Sequence, residues 1–515
     1  MTTLAELLTY TPVELSFGTS GLRGLVTDMT DLECYINTAG FLRFVAGQQQ
    51  LAQGSTVYVA GDLRDSTPRI IGAVIAAITD AGYTAIFLGL IPTPALACMG
   101  LKVDAPSIMV TGSHIPADRN GIKFYKRGGE ILKDDEAAIK QAVGAERARI
   151  MAVEQTLTPF GSNGFLKTDA VLPAVDPQAA ADYIRRFTTI FADKPLVGKD
   201  VVVYQHSAVG RDMLVDLLTQ LGANILPVGR SDTFVSIDTE NVTPDDQAYF
   251  TQLAEQHPHA FAIVSTDGDS DRPFVIDENG LFHRGDELGA VVADWLGADF
   301  AAIPVSSNDA VDDYLAEKAI ACEHTRIGSP YVIVAMQRAL GLGRQRTVGW
   351  EVNGGFLTGN DFVINGETLS ALPTRDAFFP ILIALIAATE KQQAVSELFA
   401  QLPARFTQAG LIDNFPVDTS RALVATYALD SPENRRVLEG CFSAEDGFGS
   451  IVNIDSLDGI RIFFDNGDIA HMRPSGNAPQ LRIYSVADSQ QRANDIVERA
   501  IAEPAGLLRR LAQQL

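Results

Sequence analysis

Apolar strands and amphipathic helices alternate along the chain up to about residue 395. Three segments, residues 56–89, 201–229 and 301–328, share one order: an apolar strand, a polar turn, an amphipathic helix, a second strand and a closing glycine. Strands that alternate with helices at this spacing predict mixed α/β layers, and the recurrence of one plan predicts duplicated domains. Each copy could carry one face of a shared site.

The repeated plan ends near residue 396. Farther on, residues 459–467 read as a strand followed by a hairpin turn. The longest apolar run, residues 377–388, is too short to span a bilayer and contains Pro380, so we expect a buried helix there. A chain of 515 residues exceeds what one hydrophobic core normally supports, which predicts three or four domains.

Composition narrows the range of partners. With 46% hydrophobic and 20% charged residues, the chain has the composition of a soluble globular protein. Its formal net charge of −24 repels nucleic-acid phosphates and anionic membrane surfaces, so we expect neither as a partner. A phosphorylated substrate would therefore be held by local clusters of arginine and lysine.

The cysteines and the N-terminus indicate a compartment. Cys34, Cys98, Cys322 and Cys441 have no paired spacing, so we predict neither a disulfide framework nor a zinc site. The first residues lack a basic segment before an apolar one, so no signal peptide is apparent. Both features favour the reducing cytoplasm. The sequence does not indicate an oligomeric state.

One stretch, residues 110–125, concentrates reactive groups. Ser113 follows an apolar run that reads as the end of a buried strand, which would present the serine and the adjacent His114 on a loop. Pro116 and the Asn120–Gly121 pair predict a turn, and Lys123 follows inside an otherwise apolar run. Taken alone, the Ser-His pair would equally fit a hydroxyl that only caps or solvates backbone.

The whole string resembles the phosphoserine loop of the α-D-phosphohexomutases, Thr-(Ala/Gly)-Ser-His-x-Pro-x-x-x-Asn-Gly-x-Lys. Gly112 and Ile115 replace the family's frequent alanine and asparagine without touching the reactive groups. Residues 17–24, a glycine-punctuated loop, nearly match the family's opening Phe-Gly-Thr-(Ser/Asp)-Gly-x-Arg-Gly. By this resemblance Arg23 lies beside the reactive serine.

Three aspartates, Asp267, Asp269 and Asp271, follow a predicted buried strand. Adjacent carboxylates repel, so each would protonate or recruit a cation, and a hard divalent ion with oxygen ligands is the natural solution. With Glu278 the string imitates an EF-hand, but Arg272 stands where that loop requires glycine. A solvated acidic turn is a further alternative. The string closely resembles the phosphohexomutase metal loop, Asp-Gly-Asp-(Gly/Ala/Ser)-Asp-Arg.

Two later loops carry groups suited to a sugar phosphate. Glu351 and Asn353 lie two residues apart in a short extended loop, where both could hydrogen-bond neighbouring sugar hydroxyls. Their position matches the family's sugar-recognition loop, Gly-Glu-x-Ser, with asparagine replacing serine.

The second loop offers a guanidinium fork, a hydroxyl, backbone N–H groups and an amide, which together suit a phosphate. These groups belong to Arg473, Ser475, Gly476 and Asn477. A surface turn with a stray arginine is the alternative. The string resembles the Arg-x-Ser-(Gly/Asn)-(Thr/Asn)-x-Pro phosphate loop of the family's C-terminal domain. The resemblance implies that Arg272 and Arg482 also bind substrate.

Five motifs occur in the family's order along the chain. The resemblance implies an α/β fold of four domains, residues 1–165, 166–282, 283–395 and 396–515. Three similar mixed α/β domains and a C-terminal α+β domain would surround a central cleft.

The implied reaction is phosphoryl transfer from phosphorylated Ser113 to a hexose phosphate. A hexose 1,6-bisphosphate, which the resemblance implies as both intermediate and activator, forms, turns over and returns its other phosphate to the serine. The resemblance implies Mg²⁺ on the three aspartates and a phosphoserine oxygen, with Arg23, His114 and Lys123 completing the catalytic set and Lys123 as proton carrier. Ser329 stands where the family often has histidine, so the second acid/base is unassigned.

The Glu-Val-Asn-Gly-Gly loop looks most like bacterial phosphomannomutase relatives. It therefore favours conversion of mannose 6-phosphate to mannose 1-phosphate, an isomerase activity. Phosphoglucomutase and phosphoglucosamine mutase are the alternatives within the family. A catalytically idle sugar-phosphate sensor is the alternative from a different class, and it would bind ligand without interconverting it.

Overall fold

The computed structural model describes residues 2–18, 21–49, 51–168, 170–475 and 479–515. The chain divides into two compact units. The first unit is made of residues 1–301 and 328–399, and the second of residues 302–327 and 400–515.

Helices and strands alternate along most of the described chain. The helices are α1 (Leu4–Leu7), α2 (Asp31–Gln49), α3 (Thr67–Asp80), α4 (Thr93–Lys102), α5 (Glu136–Met151), α6 (Gln178–Ile190), α7 (Arg211–Gln220), α8 (Pro244–Gln256), α9 (Gly285–Leu296), α10 (Asp309–Glu317), α11 (Ser329–Gly341), α12 (Phe378–Glu390), α13 (Val395–Phe399), α14 (Val417–Tyr427), α15 (Pro432–Cys441), α16 (Gln490–Ile501) and α17 (Leu507–Ala512).

The strands are short and mostly buried. They are β1 (Ser16–Phe17), β2 (Gly21–Leu25), β3 (Thr56–Gly61), β4 (Thr84–Leu90), β5 (Ser107–Val110), β6 (Arg119–Lys126), β7 (Gly129–Glu130), β8 (Asp200–Tyr204), β9 (Asn224–Val228), β10 (Ala262–Thr266), β11 (Pro273–Ile276), β12 (Phe282–His283), β13 (Phe300–Pro304), β14 (Ala321–Thr325), β15 (Thr347–Trp350), β16 (Phe356–Thr358), β17 (Phe362–Ile364), β18 (Glu367–Leu369), β19 (Leu372–Asp376), β20 (Phe406–Ile412), β21 (Ile451–Asp455), β22 (Ile460–Phe464), β23 (Ile469–Pro474) and β24 (Leu481–Ala487).

The first sheet of the first unit brings two strand ends together. Its order is β1-β2-β6-β5-β3-β4, with β7 paired to β6. Strands β3 and β5 are parallel, and Gly61 lies opposite Val110. The residues that follow these two strands therefore leave the sheet side by side, as the carboxyl ends of parallel strands do.

The second sheet presents the aspartate segment. Its order is β12-β11-β10-β8-β9, and β8 is parallel to both β9 and β10. The three valines of β8 are all buried, as expected for a parallel strand covered on both faces. Thr266 at the end of β10 pairs with Pro273 at the start of β11, so residues 267–272 form the loop between them.

Strands β15, β16 and β19 pair antiparallel in the first unit. Trp350 lies opposite Phe356, which makes residues 351–355 a hairpin loop. The second unit contains an antiparallel sheet of order β20-β24-β23-β22-β21. Its core joins residues of the sheet, such as Ile462 and Ile483, to Val497 of α16.

Most structural predictions are confirmed. The three repeated segments correspond to β3–α3–β4, β8–α7–β9 and β13–α10–β14. Residues 378–388 of the apolar run lie within the buried helix α12, and Ala377 is its N-cap. Across the described ranges, no helix is both long and apolar enough to cross a lipid bilayer.

Two local predictions are wrong. Residues 17–24 are not a single loop, because β1 pairs with β2 and places Arg23 on a strand. Asn120 and Gly121 do not form a turn but lie within β6, and the turn falls at residues 113–118. The Asn120 amide instead donates to the Thr67 hydroxyl at 3.1 Å, in the first turn of α3.

Candidate active site

Ser113 lies on the turn that follows β5, in a strained backbone conformation. Its φ of 55° is in the left-handed region, which is uncommon for residues other than glycine. The Ser113 N–H donates to the Thr111 hydroxyl at 2.7 Å, and that hydroxyl donates to Asp62 at 2.7 Å. Such a conformation persists where surrounding contacts fix it, and these bonds are part of that support.

Arg64 also supports the turn that bears Ser113. Its side chain is buried, and it donates to four backbone carbonyls of the turn: Ser113 (2.9 Å), Ile115 (2.5 Å), Pro116 (2.7 Å) and Arg119 (2.9 Å). A Cβ at position 112 would lie 2.6 Å from the Arg64 guanidinium carbon. Gly112, where related loops often have alanine, therefore leaves room for the arginine that fixes the turn.

The structure brings the Ser113 turn and the aspartate loop together. Ser113 Oγ donates to Asp267 Oδ2 at 2.6 Å. His114 Nδ1 lies 3.4 Å from the same hydroxyl. The serine and the aspartate are both buried. The predicted association of these two loops is therefore seen in the geometry.

The carboxylates of Asp267, Asp269 and Asp271 converge. Each offers one oxygen, and these oxygens lie within 4.8 Å of one another. Lys123 Nζ lies 2.5 Å from Asp269 Oδ2 and 2.5 Å from Asp271 Oδ2. Thr93 also donates to Asp269 Oδ2, at 2.5 Å.

The pKa values of Asp267 and Asp271 are shifted in opposite directions. Burial and the neighbouring Asp269 and Asp271 hold the pKa of Asp267 well above its usual value. Although burial opposes ionisation, Arg375, Lys123 and Arg272 together lower the pKa of Asp271. A carboxylate that is protonated for lack of positive charge is one that a cation would ionise.

The donor set of this cluster fits a hard divalent cation. All its ligand groups are carboxylate oxygens, which Mg²⁺ and Ca²⁺ prefer. Two oxygens of the cluster, Asp269 Oδ1 and Asp271 Oδ1, are buried, and neither has a hydrogen-bond partner among the described residues. Glu278 does not join the cluster, since it accepts hydrogen bonds from Ser396, which agrees with the rejection of an EF-hand.

Arginines crowd beside the aspartates. Burial, followed by repulsion from Arg272 and Arg375, lowers the pKa of Arg23 to about 10. Burial and the charges of Arg272 and Arg23 hold the pKa of His114 well below its usual value, which keeps the imidazole neutral. Arg272 is buried, and its Nε atom has no hydrogen-bond partner within the described structure. This concentration of positive charge suits an anionic ligand.

Glu351 and Asn353, the residues of the predicted sugar-recognition loop, have different hydrogen-bond partners. The Glu351 carboxylate accepts a hydrogen bond from Arg375 at 2.8 Å. The Asn353 amide donates to Glu240 at 2.9 Å, and its oxygen accepts from the Gly355 N–H at 3.0 Å. Asn353 thus shapes the loop, and its contact with a sugar hydroxyl stays a prediction, as does that of Glu351.

Ser329, at the place where related proteins often have histidine, contacts a buried carboxylate. Its hydroxyl donates to Glu130 Oε2 at 2.8 Å, and Thr374 donates to the other oxygen of the same glutamate. The titratable group beside Ser329 is therefore Glu130. These contacts assign Glu130 no role as an acid or base in a reaction.

The predicted phosphate loop belongs to the second unit. Arg473 and Arg482 lie opposite each other on β23 and β24. Arg473 Nε is 3.0 Å from Asp458 Oδ2, and the Ser475 N–H donates to the carbonyl of Gln480 at 2.9 Å. Gly476 and Asn477 lie outside the described residues, so their predicted roles have no structural account.

Sequence reasoning missed Arg64, Thr93 and Arg375. Arg64 and Thr93 follow β3 and β4 closely, and Arg375 lies near the end of β19. For Arg64 and Thr93 the available signal was a polar or charged residue shortly after a buried strand, because parallel strands such as β3 and β4 deliver such residues to one edge of a sheet. Arg375 lies on the antiparallel strand β19 and had no such signal.

Comparison with known proteins gives matches along most of the chain. The models of the phosphoglucomutase/phosphomannomutase alpha/beta/alpha domains I, II and III match residues 14–149, 181–280 and 284–406, and the C-terminal domain model matches residues 419–503.

Individual relatives agree with these models. A phosphomannomutase of Sinorhizobium fredii (strain NBRC 101917 / NGR234) is 40% identical, over 94% of this chain and 98% of its own. A phosphomannomutase of Salmonella muenchen is 41% identical, over 95% of each chain. A crystal structure of a phosphoglucomutase/phosphomannomutase family protein from Burkholderia thailandensis has a TM-score of 0.69 at 18% identity, covering 95% of this chain and 97% of that one. The predicted four-domain fold and family are confirmed: the chain belongs to the phosphoglucomutase/phosphomannomutase family.

Proposed function

We propose that this enzyme interconverts mannose 6-phosphate and mannose 1-phosphate by phosphoryl transfer through Ser113. The observation that carries the proposal is the Ser113 hydroxyl, held on a strained turn 2.6 Å from Asp267. Two relatives named phosphomannomutase, at 40% and 41% identity, support the choice of mannose.

The transfer exchanges one P–O bond for another. The phosphoserine of Ser113 gives its phosphoryl group to a free hydroxyl of the sugar phosphate, which yields a hexose 1,6-bisphosphate. The Ser113 Oγ–P bond breaks as the new bond forms, so the serine oxygen gains a proton while the sugar hydroxyl loses one. Lys123 is the proposed carrier: its ammonium, which contacts Asp269 and Asp271, would give a proton to the serine oxygen and then take up the proton of the sugar hydroxyl. After the bisphosphate turns over, its other phosphoryl group returns to the serine.

Positioning and neutralisation of charge supply most of the rate enhancement in such transfers. Arg64 fixes the turn that bears the serine. Arg23, Arg272 and Lys123 place positive charge beside the oxygen atoms that gain negative charge in the transition state. His114, neutral and near the serine hydroxyl, can accept or donate a hydrogen bond there.

Mg²⁺ is the proposed cofactor. Asp267, Asp269 and Asp271 would hold it together with an oxygen of phosphorylated Ser113. When bound, the ion supplies positive charge that stabilises the transferring phosphoryl group. The orphaned carboxylate oxygens and the raised pKa of Asp267 support this assignment.

Recognition of the substrate is proposed to use two loops. Glu351 and Asn353 would contact sugar hydroxyls. The phosphate that is not being transferred is common to both binding orientations, and it would be bound by Arg473, Ser475, Gly476, Asn477 and Arg482.

The proposed boundaries between the four domains fall at residues 165–166, 282–283 and 395–396 of the chain. The proposed location is the cytoplasm, where cysteines stay reduced.

The decisive experiment combines mass analysis with assays on three substrates. The active enzyme should carry one phosphate on the peptide that contains Ser113, and Ser113→Ala should lose both that phosphate and turnover by several orders of magnitude. Among mannose, glucose and glucosamine 1-phosphates, the mannose compound should give the highest kcat/KM. Binding of all three without interconversion would instead identify a sugar-phosphate sensor.

A further inference from the structure

A second group of potential metal ligands lies in the second unit. Asp312 is on α10, and Cys322 and His324 are on β14. The two strand residues are spaced by two, so they point to the same face of the strand. One ligand atom from each of the three residues lies within 4.8 Å of the others, and His324 Nε2 is 2.8 Å from Asp312 Oδ1.

We propose that Asp312, Cys322 and His324 bind a zinc-class divalent ion. Four-coordinate zinc is tetrahedral, with bonds of about 2.0–2.3 Å to oxygen, nitrogen and sulfur, so its ligand atoms lie about 3.3–3.7 Å apart. In the observed group these separations range from 2.8 Å, between His324 and Asp312, to no more than 4.8 Å, so side-chain shifts of about 1 Å would reach that spacing. A thiolate with an imidazole selects zinc and related transition metals over Mg²⁺. As the sulfur–metal bond forms, the Cys322 thiol loses its proton to solvent.

The ligand chemistry separates this site from the aspartate cluster. Asp267, Asp269 and Asp271 offer only oxygen atoms, whereas this group offers one sulfur, one nitrogen and one oxygen. The sequence spacing predicted no zinc site, because only one cysteine takes part and the aspartate comes from a neighbouring helix. The three residues come together only in the folded chain, where α10 packs beside β14.

The site is open rather than closed. Cys322 is exposed, and the side chains of His324 and Asp312 are 25% and 35% exposed. Three protein ligands leave a position for water, which is the arrangement of exchangeable zinc rather than of a fully enclosed structural ion. A bound ion would join α10 to β14, so it should raise the melting temperature of the protein.

A cobalt titration tests the proposal directly. Metal-free protein in excess Mg²⁺, which occupies the aspartate cluster, is titrated with Co²⁺, and the thiolate-to-cobalt absorption band is recorded. One equivalent should give the band, and Zn²⁺ should abolish it by displacement. Cys322→Ser should remove the band, and His324→Gln should weaken Co²⁺ binding by more than about 100-fold, beyond the loss expected for an outer-sphere partner.

Matched controls remove similar groups elsewhere. Cys98→Ser and Asp313→Asn should bind Co²⁺ like the wild type, whereas Asp312→Asn should not. Mutase activity should be unchanged in Cys322→Ser, so failure of this proposal is distinct from failure of the proposed function. A thiolate band that survives in Cys322→Ser, or Co²⁺ bound without any thiolate band, would overturn it.

Discussion

Replacing Arg375 tests the reasoning about the active site most severely. Its Nε and Nη2 atoms each lie 3.0 Å from Asp271 Oδ2, and its Nη1 atom lies 2.8 Å from Glu351 Oε2. The side chain is only 5% exposed. Arg375→Met keeps the apolar stem but leaves both carboxylates buried without this partner.

The expected loss of stability follows from that burial. Removing one partner of a buried ion pair costs about 3–5 kcal/mol, because the other charge is left uncompensated. Lys123 still contacts Asp271 in the variant, so we expect a loss near the lower limit, about 3 kcal/mol. Arg375→Lys should recover part of it, since lysine keeps the charge but cannot bridge both carboxylates with a planar fork.

Tryptophan fluorescence during urea unfolding provides the assay. Both tryptophans, Trp295 and Trp350, belong to the first unit, and Trp350 is buried next to Glu351. Arg185→Met is the control, because it removes an exposed ion pair with Asp182 that should contribute about 0–1 kcal/mol. Arg375 is argued to join the aspartate loop, through Asp271, to the sugar loop, through Glu351. Equal shifts of the unfolding midpoint in the two methionine variants, with kcat/KM preserved in Arg375→Met, would refute that link.

Three further substitutions have defined outcomes. Asp269→Asn removes one ligand charge while nearly preserving shape, so circular dichroism should be unchanged while Mg²⁺-dependent turnover falls; full activity in excess chelator would contradict this. Arg473→Ala should weaken hexose phosphate binding in calorimetry by about ten- to a hundredfold, with partial recovery in Arg473→Lys. Burial lowers the pKa of His471 from 6.5 to about 4, so the unfolded chain takes up its proton first and stability is lost as pH falls from 6.5 to 4. That loss, about 3 kcal/mol for a shift of this size, should be smaller in His471→Gln, and identical melting profiles would show that the histidine does not contribute.

The sequence predicted the elements whose patterns are local. Runs such as residues 201–203 and 377–388 are apolar because buried strands and helices require it, and both were recognised on that ground. The prediction of a loop at residues 17–24 was wrong because glycine normally weakens strands, so the glycines there indicated a loop. A Cβ at Gly21 would lie 2.1 Å from the carbonyl oxygen of Ile122, so here glycine permits close pairing of β2 with β6.

The supporting residues of the site were beyond local patterns. Arg64 reaches carbonyls 49 to 55 residues away, and Arg375 reaches Asp271 across 104 residues. Arg64 stands shortly after a buried strand, but nothing in the sequence near either arginine shows which distant groups it contacts. The resemblance to a family named the reactive groups, whereas only the fold shows what holds them in place.

Like charges are crowded where the Ser113 turn meets the aspartate loop. Burial and repulsion from neighbouring arginines lower the pKa of Arg23, and burial and repulsion from neighbouring carboxylates raise the pKa of Asp267. Lys123, between Asp269 and Asp271, relieves only part of the second repulsion. A phosphate beside the arginines and a divalent cation among the carboxylates would relieve both. Under the proposed function, a phosphate on Ser113 and a metal ion on the aspartates would correct these two opposite imbalances of charge together.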